Sequence, residues 1–223
     1  MTRVVIIVEG QTEEAFVNDV LAEALWPYEV YLTPILLGVP GHKGGRPNYA
    51  RVKKDVLLHL KQDKAAYCST MLDFYGLGPG FPGTPVPPGL PSIGKAVRIE
   101  EAMKADVCEV VPDLRPDLRF VPYVQLHEYE GLLFSDPRLL AEAINQPHLA
   151  ENFQKVRDGF PSPEDIDDDP ITAPSKRLLQ AFSSYWKVLD GTTAARRVGI
   201  EAMRRECPHF RDWLERLQAL ARG

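Results

Sequence analysis

The run Val4-Val5-Ile6-Ile7-Val8 is apolar at every position and stops at Glu9-Gly10-Gln11-Thr12-Glu13-Glu14. A strand without a polar face must be covered on both sides, as a central strand is in a helix-flanked parallel sheet. Such sheets place their ligand sites at the carboxyl ends of the strands. This strand delivers a glutamate to that edge, where a carboxylate either holds a hard cation or moves a proton. The strand alone leaves both uses open.

The same junction recurs twice. Thr12 reads as a helix N-cap with Glu13 and Glu14 in the first turn, and Phe16, Val20, Leu21, Ala24 and Leu25 follow at helical spacing. A helix is therefore expected over 12–25, ended by Pro27, with a second strand over 28–37 interrupted by Pro34. The spacing of Val52, Val56, Leu57 and Leu60 predicts a helix over 49–62, and 66–72 reads as a strand ending in Asp73. A helix over 95–106 precedes a strand over 120–126, which ends in His127-Glu128-Tyr129-Glu130. Beyond about residue 131 the pattern is helical, with candidates over 137–144, 148–157, 174–184 and 208–221. The expected architecture is α/β: a mostly parallel, helix-flanked sheet over 1–135, and a helical region over 136–223 packed on it or continuous with it.

Composition narrows the functional classes. A net charge of −5 argues against a broad phosphate-neutralising surface. A nucleic-acid role would need a local basic patch, metal ions or a partner chain. Cations gather late, from Lys176, Arg177 and Lys187 through Arg196, Arg197, Arg204 and Arg205, behind an acidic loop over 161–170. Their ordinary reading is a solvated helix face with i,i+4 pairs, with substrate contact by Lys176 and Arg177 as the alternative. The glycine-rich segment 38–47 lacks the spacing of a phosphate-binding P-loop, so its Lys43 and Arg46 either hold phosphate or are simply solvated. Residues 76–92 form a Pro/Gly connection of unusual length, a lid or a locally disordered segment.

No apolar run approaches the ~20 residues of a membrane span, and no charged-then-apolar leader opens the chain. Cys68, Cys108 and Cys207 are odd in number and far apart. They suit a reducing compartment, so a cytoplasmic location is expected. Cys207 and His209 lack a second pair nearby, which argues against zinc.

In a parallel sheet, Glu9, Asp73 and Glu128 or Glu130 would converge on one edge. Hard oxygen donors gathered this way suit Mg²⁺ or Mn²⁺. Without a cation they would repel one another and resist ionising. Glu128 and Glu130 alternate, so an extended segment would turn both to the same side, with Tyr129 and Leu132 inward. Glu13 either stabilises its helix or assists the site. His127 either packs near the core, orients Glu128 or carries a proton.

Val8-Glu9-Gly10-Gln11-Thr12-Glu13 resembles the first motif of Toprim domains, particularly those of overcoming-lysogenization-defect nucleases. More closely, the chain resembles a Toprim-like family of bacterial proteins, domain-of-unknown-function family 4276. The segments from Thr70 to Leu77 and from Leu126 to Asp136 are similar to its second and third signatures, and Pro174-Ser175-Lys176-Arg177-Leu178 and Cys207-Pro208-His209-Phe210 to its C-terminal half. The resemblance implies a Toprim-like sheet and Mg²⁺- or Mn²⁺-dependent phosphodiester chemistry on RNA, DNA or a nucleotide, plausibly in bacterial defence. Glu9, Asp73, Glu128 and Glu130 would be ligands, and Glu9, Glu13, Asp73 and Glu128 the catalytic carboxylates. Toprim enzymes carry an Asp-x-Asp pair, whereas Tyr75 follows Asp73 here. Glu128, Glu130 or Asp136 would have to replace the second aspartate. The alternative the resemblance implies is a degenerate Toprim-like binding module working with a separate ABC-type ATPase.

Overall fold

The computed structural model describes residues 1–39, 42–43, 47–78, 80–166 and 172–222; for 38–39, 42–43 and 222 only the backbone is described. The chain builds an α/β sandwich around a parallel sheet. Its strands are β1 (Thr2–Val8), β2 (Val30–Leu36), β3 (Tyr67–Asp73), β4 (Phe120–Val121) and β5 (Val124–Gln125). The order is β2-β1-β3-β4, with β5 continuing beside β3. Every pairing in this sheet is parallel, with Val4 opposite Leu32 and Tyr67, and Asp73 opposite Gln125. A separate hairpin pairs Gly38–Val39 with His42–Lys43.

Both faces of β1 are covered, as its apolar run requires. Val4, Ile6 and Val8 pack with Phe16, Val17 and Leu21 of the helix over 11–25 (α1) and with the C-terminal helices. Ile7 faces the other way, toward α2 (Tyr49–Gln62) and α3 (Ser92–Val110), in a cluster with Val52, Val56, Ile99 and Met103. The chain passes from β1 through α1 to β2 on one side, then crosses to β3 on the other. The crevice between β1 and β3 is thus a topological switch point, where open α/β sheets take their ligands.

Several expectations are corrected. The first helix starts at Gln11 with Gly10 as its N-cap, two residues before the Thr12 expected there, and Val17–Leu21 is wound as a π-turn. Pro34 does not interrupt β2, because β2 lies at the sheet edge and the missing N–H costs no ladder bond there. Pro122 splits the strand expected over 120–126 into β4 and β5, and the Thr70 hydroxyl bridges the gap: it accepts from Tyr123 N–H at 2.9 Å and donates to Tyr123 O at 2.8 Å. Within the Pro/Gly connection, Phe81 is buried against Tyr49.

The C-terminal region comprises α4 (Pro137–Ala143), α5 (Ala150–Asp158), α6 (Pro174–Ala181), α7 (Lys187–Val198), α8 (Ile200–Glu206) and α9 (Pro208–Ala219). Helix α7 falls where no helix was expected. Helix α9 is latched to the sheet by buried polar groups. Glu164 accepts the N–H groups of His209 and Phe210 at 2.9 Å each, and Glu100 accepts from Val124 N–H at 2.8 Å and contacts His209 Nε2 at 2.9 Å. Tyr123 stacks between His209 and Trp213. Among the described residues, no helix is long and apolar enough to cross a membrane.

Candidate functional site

Parallel pairing brings the ends of β1, β3 and β5 to one edge. Glu9 follows β1, Asp73 closes β3, and the turn after β5 carries Glu128 and Glu130. Glu9 packs directly on the following turn: a Cβ on Gly76 would lie 2.9 Å from both of its carboxylate oxygens. Any larger residue at 76 would displace the Glu9 carboxylate from this position. Glu9 Oε2 is buried with no hydrogen-bond partner. Burial, followed by the charge of Glu13, pushes the Glu9 carboxyl up to about 7, against the pull of the Asp73 backbone and Lys187.

Glu13 occupies the N3 position of α1, and its carboxylate folds back over Gly10, within 3.1 Å of where a Cβ would stand. That is the reciprocal half of a capping box. Burial raises its pKa, and the Gly10 amide and Lys187 oppose the rise. Asp73 is pushed well above the carboxylate range by burial, then by Glu13, Glu9, Glu130 and Glu128. One of its oxygens accepts Tyr129 N–H at 3.0 Å. The carboxylates thus share one electrostatic neighbourhood.

Glu128 and Glu130 do not form the matched pair expected of an extended segment. His127 adopts a left-handed φ of 57°, and Tyr129–Ser135 coils into a 3-10 helix. Tyr129 and Leu132 do point inward, fully buried. Glu128 accepts Ser175 N–H at the start of α6 at 2.9 Å. Glu130, also buried, lies 3.0 Å from Lys187 Nζ, with an alignment short of a hydrogen bond. Burial lowers the Lys187 ammonium, but Glu130 and Glu128 outweigh it and hold the group above its ordinary value.

Among the described residues, no three His, Cys, Asp or Glu side chains form a ready ligand set for a metal ion. Glu9, Asp73, Glu128 and Glu130 share an edge, but three of them are already engaged by backbone N–H groups or Lys187. Asp136 is spent as the N-cap of α4, accepting Leu139 N–H at 2.9 Å. Tyr75 is exposed, and its N–H donates to His127 O at 3.1 Å.

The expected substrate-binding cations are placed as follows. Arg46 lies outside the described residues, and for Lys43 the backbone alone is described. Lys176 is exposed on α6. Arg177 donates to Thr172 O at 2.6 Å and lies over the Phe160 ring. Several late arginines are engaged in ion pairs: Arg196 with Asp19, Arg197 with Glu142 and Arg204 with Glu215. The basic tail thus largely offsets acidic groups within the fold.

A scan against family models matches residues 8–218 to Domain of unknown function (DUF4276). The matched span runs from the last residue of β1 into α9, so it takes in both the carboxylate edge and the helices that close it. The chain belongs to the DUF4276 family. Searches of curated proteins and of solved structures gave no match. In this DUF4276 chain the groups that sequence reasoning missed are Lys187, Ser175 N–H and Gly76. Lys187 appeared only as one cation of the basic tail, and no spacing ties residue 187 to residue 130.

Proposed function

We propose that the carboxylate edge is a divalent-cation-dependent phosphodiesterase centre of Toprim type, acting on RNA, DNA or a nucleotide. The observation that carries this reading is the gathering of Glu9, Glu13, Asp73, Glu128 and Glu130 around the β1–β3 switch point, with the buried Glu9 Oε2 unpartnered. The donor set fits Mg²⁺ or Mn²⁺ in type, because these ions favour carboxylate oxygen and water. A cation would also relieve the mutual repulsion that raises Asp73 and Glu9. Glu9 and Asp73 would hold it, with Glu128 and Glu130 beside them. When bound, such an ion polarises a phosphoryl oxygen and acidifies a water.

The chain's own groups supply the rest. Glu9, raised to about 7 by burial and by Glu13, would be drawn back to its charged form by a bound ion and so serve as a ligand at neutral pH. Gly76 leaves the space that its carboxylate occupies. Lys187 offers the edge its own ammonium, available to an anionic phosphate when it leaves Glu130. A role in bacterial defence against phage or plasmids is part of the same proposal.

Mn²⁺ titration followed by electron paramagnetic resonance, with cleavage assays on single-stranded RNA, DNA and mononucleotides, tests the reading. Glu9→Ala and Asp73→Ala are expected to lose both signals with the fold intact. Unchanged cleavage in the double variant overturns it. One observation favours a second reading: three edge carboxylates already have partners and Tyr75 replaces the usual second aspartate. On that reading the chain is a binding module serving a separate ABC-type ATPase. Its mark would be stable complex formation with such a partner, insensitive to chelation of divalent ions and to Glu9→Ala.

A further inference from the structure

A cleft of about 530 Å³ opens beside the carboxylate edge. Gln11 and Thr12 from the start of α1, Leu36 at the end of β2, Leu179 of α6, and Trp186 and Lys187 at the start of α7 line it. The cleft and the edge share two elements. Lys187 lines the cleft while its ammonium reaches Glu130, and Gln11-Thr12 sit between Glu9 and Glu13 in the chain.

Its walls combine three chemistries. Trp186 is 65% exposed, although indole is among the side chains most favoured by burial. An indole held open on a rim offers a flat π-face, with Leu36 and Leu179 as the apolar lining. Gln11 brings an amide that can both donate and accept. Lys187 brings positive charge at the first position of the 12-residue helix α7, where Asp190 accepts the N–H of Trp186 at 2.7 Å. Tyr185 also lines the cleft, and among the described residues its buried hydroxyl has no hydrogen-bond partner.

A flat apolar ring with a polar edge and an attached anion satisfies all three chemistries at once. We propose that this cleft is a subsite for one nucleotide, its base stacked on Trp186, its edge met by Gln11 and its phosphate by Lys187. The proposal rests on reading the adjacent edge as a phosphodiester centre, and it narrows the substrate to unpaired nucleic acid or a free nucleotide. A paired base cannot present both faces and its edge to such a cleft without leaving its duplex.

Isothermal titration of the full chain with AMP, CMP and a short oligo-dT, first without metal and then with Mn²⁺, tests the subsite. Wild-type protein should bind all three. Trp186→Ala should weaken binding roughly tenfold or more, the scale of base–aromatic stacking, and Trp186→Phe should stay within a few-fold. Trp26→Phe, at the other strongly exposed tryptophan, should change nothing. Lys187→Met should weaken AMP but not adenosine. Equal affinity in Trp186→Ala, or no binding by wild type, overturns the subsite. Glu9→Gln separates the two proposals. Nucleotide binding that survives without Mn²⁺ binding or cleavage in any form of the protein removes the metal centre and keeps the subsite. Mn²⁺-dependent cleavage indifferent to Trp186 does the reverse.

Discussion

Replacing Glu9 with glutamine removes one charge from a crowded carboxylate edge while keeping the shape that packs on Gly76. The wild-type group titrates at about 7 against an ordinary 4.5. A carboxyl whose folded pKa is raised favours folding most below its unfolded pKa and loses that contribution as pH climbs through the folded one. At about 1.36 kcal/mol per pH unit, the interval from 4.5 to 7 corresponds to roughly 3 kcal/mol. Because Glu9 is only partly buried, a gain of about 1–3 kcal/mol is the realistic expectation. Urea unfolding at pH 4.5 and pH 8 measures it. Glu9→Gln should match wild type at pH 4.5 and exceed it by that margin at pH 8. Added Mn²⁺ should reverse the order, because only wild type gains from the ion. A variant less stable than wild type by the same amount at both pH values would show that Glu9 is an ordinary structural carboxylate.

Other consequences follow from single contacts. Gly76→Ala should lower Mn²⁺ affinity about tenfold or more with little change in melting temperature. The new Cβ meets the Glu9 carboxylate at 2.9 Å, while the backbone at 76 is not in the left-handed region; unaltered affinity would mean that the carboxylate yields freely. Glu164→Ala should cost about 2–3 kcal/mol in urea unfolding, because two buried N–H groups at the start of α9 lose their acceptor. Glu164→Gln should cost clearly less, since its amide oxygen still accepts, and equal losses would refute the capping role.

Strand β1 and helix α2 were readable because their apolar periods are unbroken, and the α2 boundaries agree with the spacing of Val52, Val56 and Leu60. The carboxylates at 9, 73, 128 and 130 were readable because strand ends in a parallel sheet share an edge. Helix α7 was not. Its buried face is Gly191, Thr192, Ala194, Ala195 and Val198, mostly small residues, and glycine and threonine depress helix propensity. Yet Gly191 lets α7 approach closely, because a Cβ would stand 3.0 Å from Tyr185 Oη and 3.6 Å from Tyr129. The tight packing that seats α7 is thus what hides it, and Lys187 and Trp186 are hidden with it. The assumed pairing of Glu128 with Glu130 failed for a different reason. Nothing in Tyr129-Glu130-Gly131-Leu132-Leu133 separates a buried 3-10 turn from a buried strand.

The Lys187–Glu130 contact spans the two ends of the molecule's chemistry: the acid comes from the turn after the sheet, and its counter-charge from a helix made more than fifty residues later. Until α7 docks, the edge carries its negative charges without that internal cation. During synthesis, the acidic edge is therefore complete in sequence long before it is electrically complete. The charge balance of the edge exists only in a chain whose late helix has docked, so the C-terminal region completes what the sheet begins.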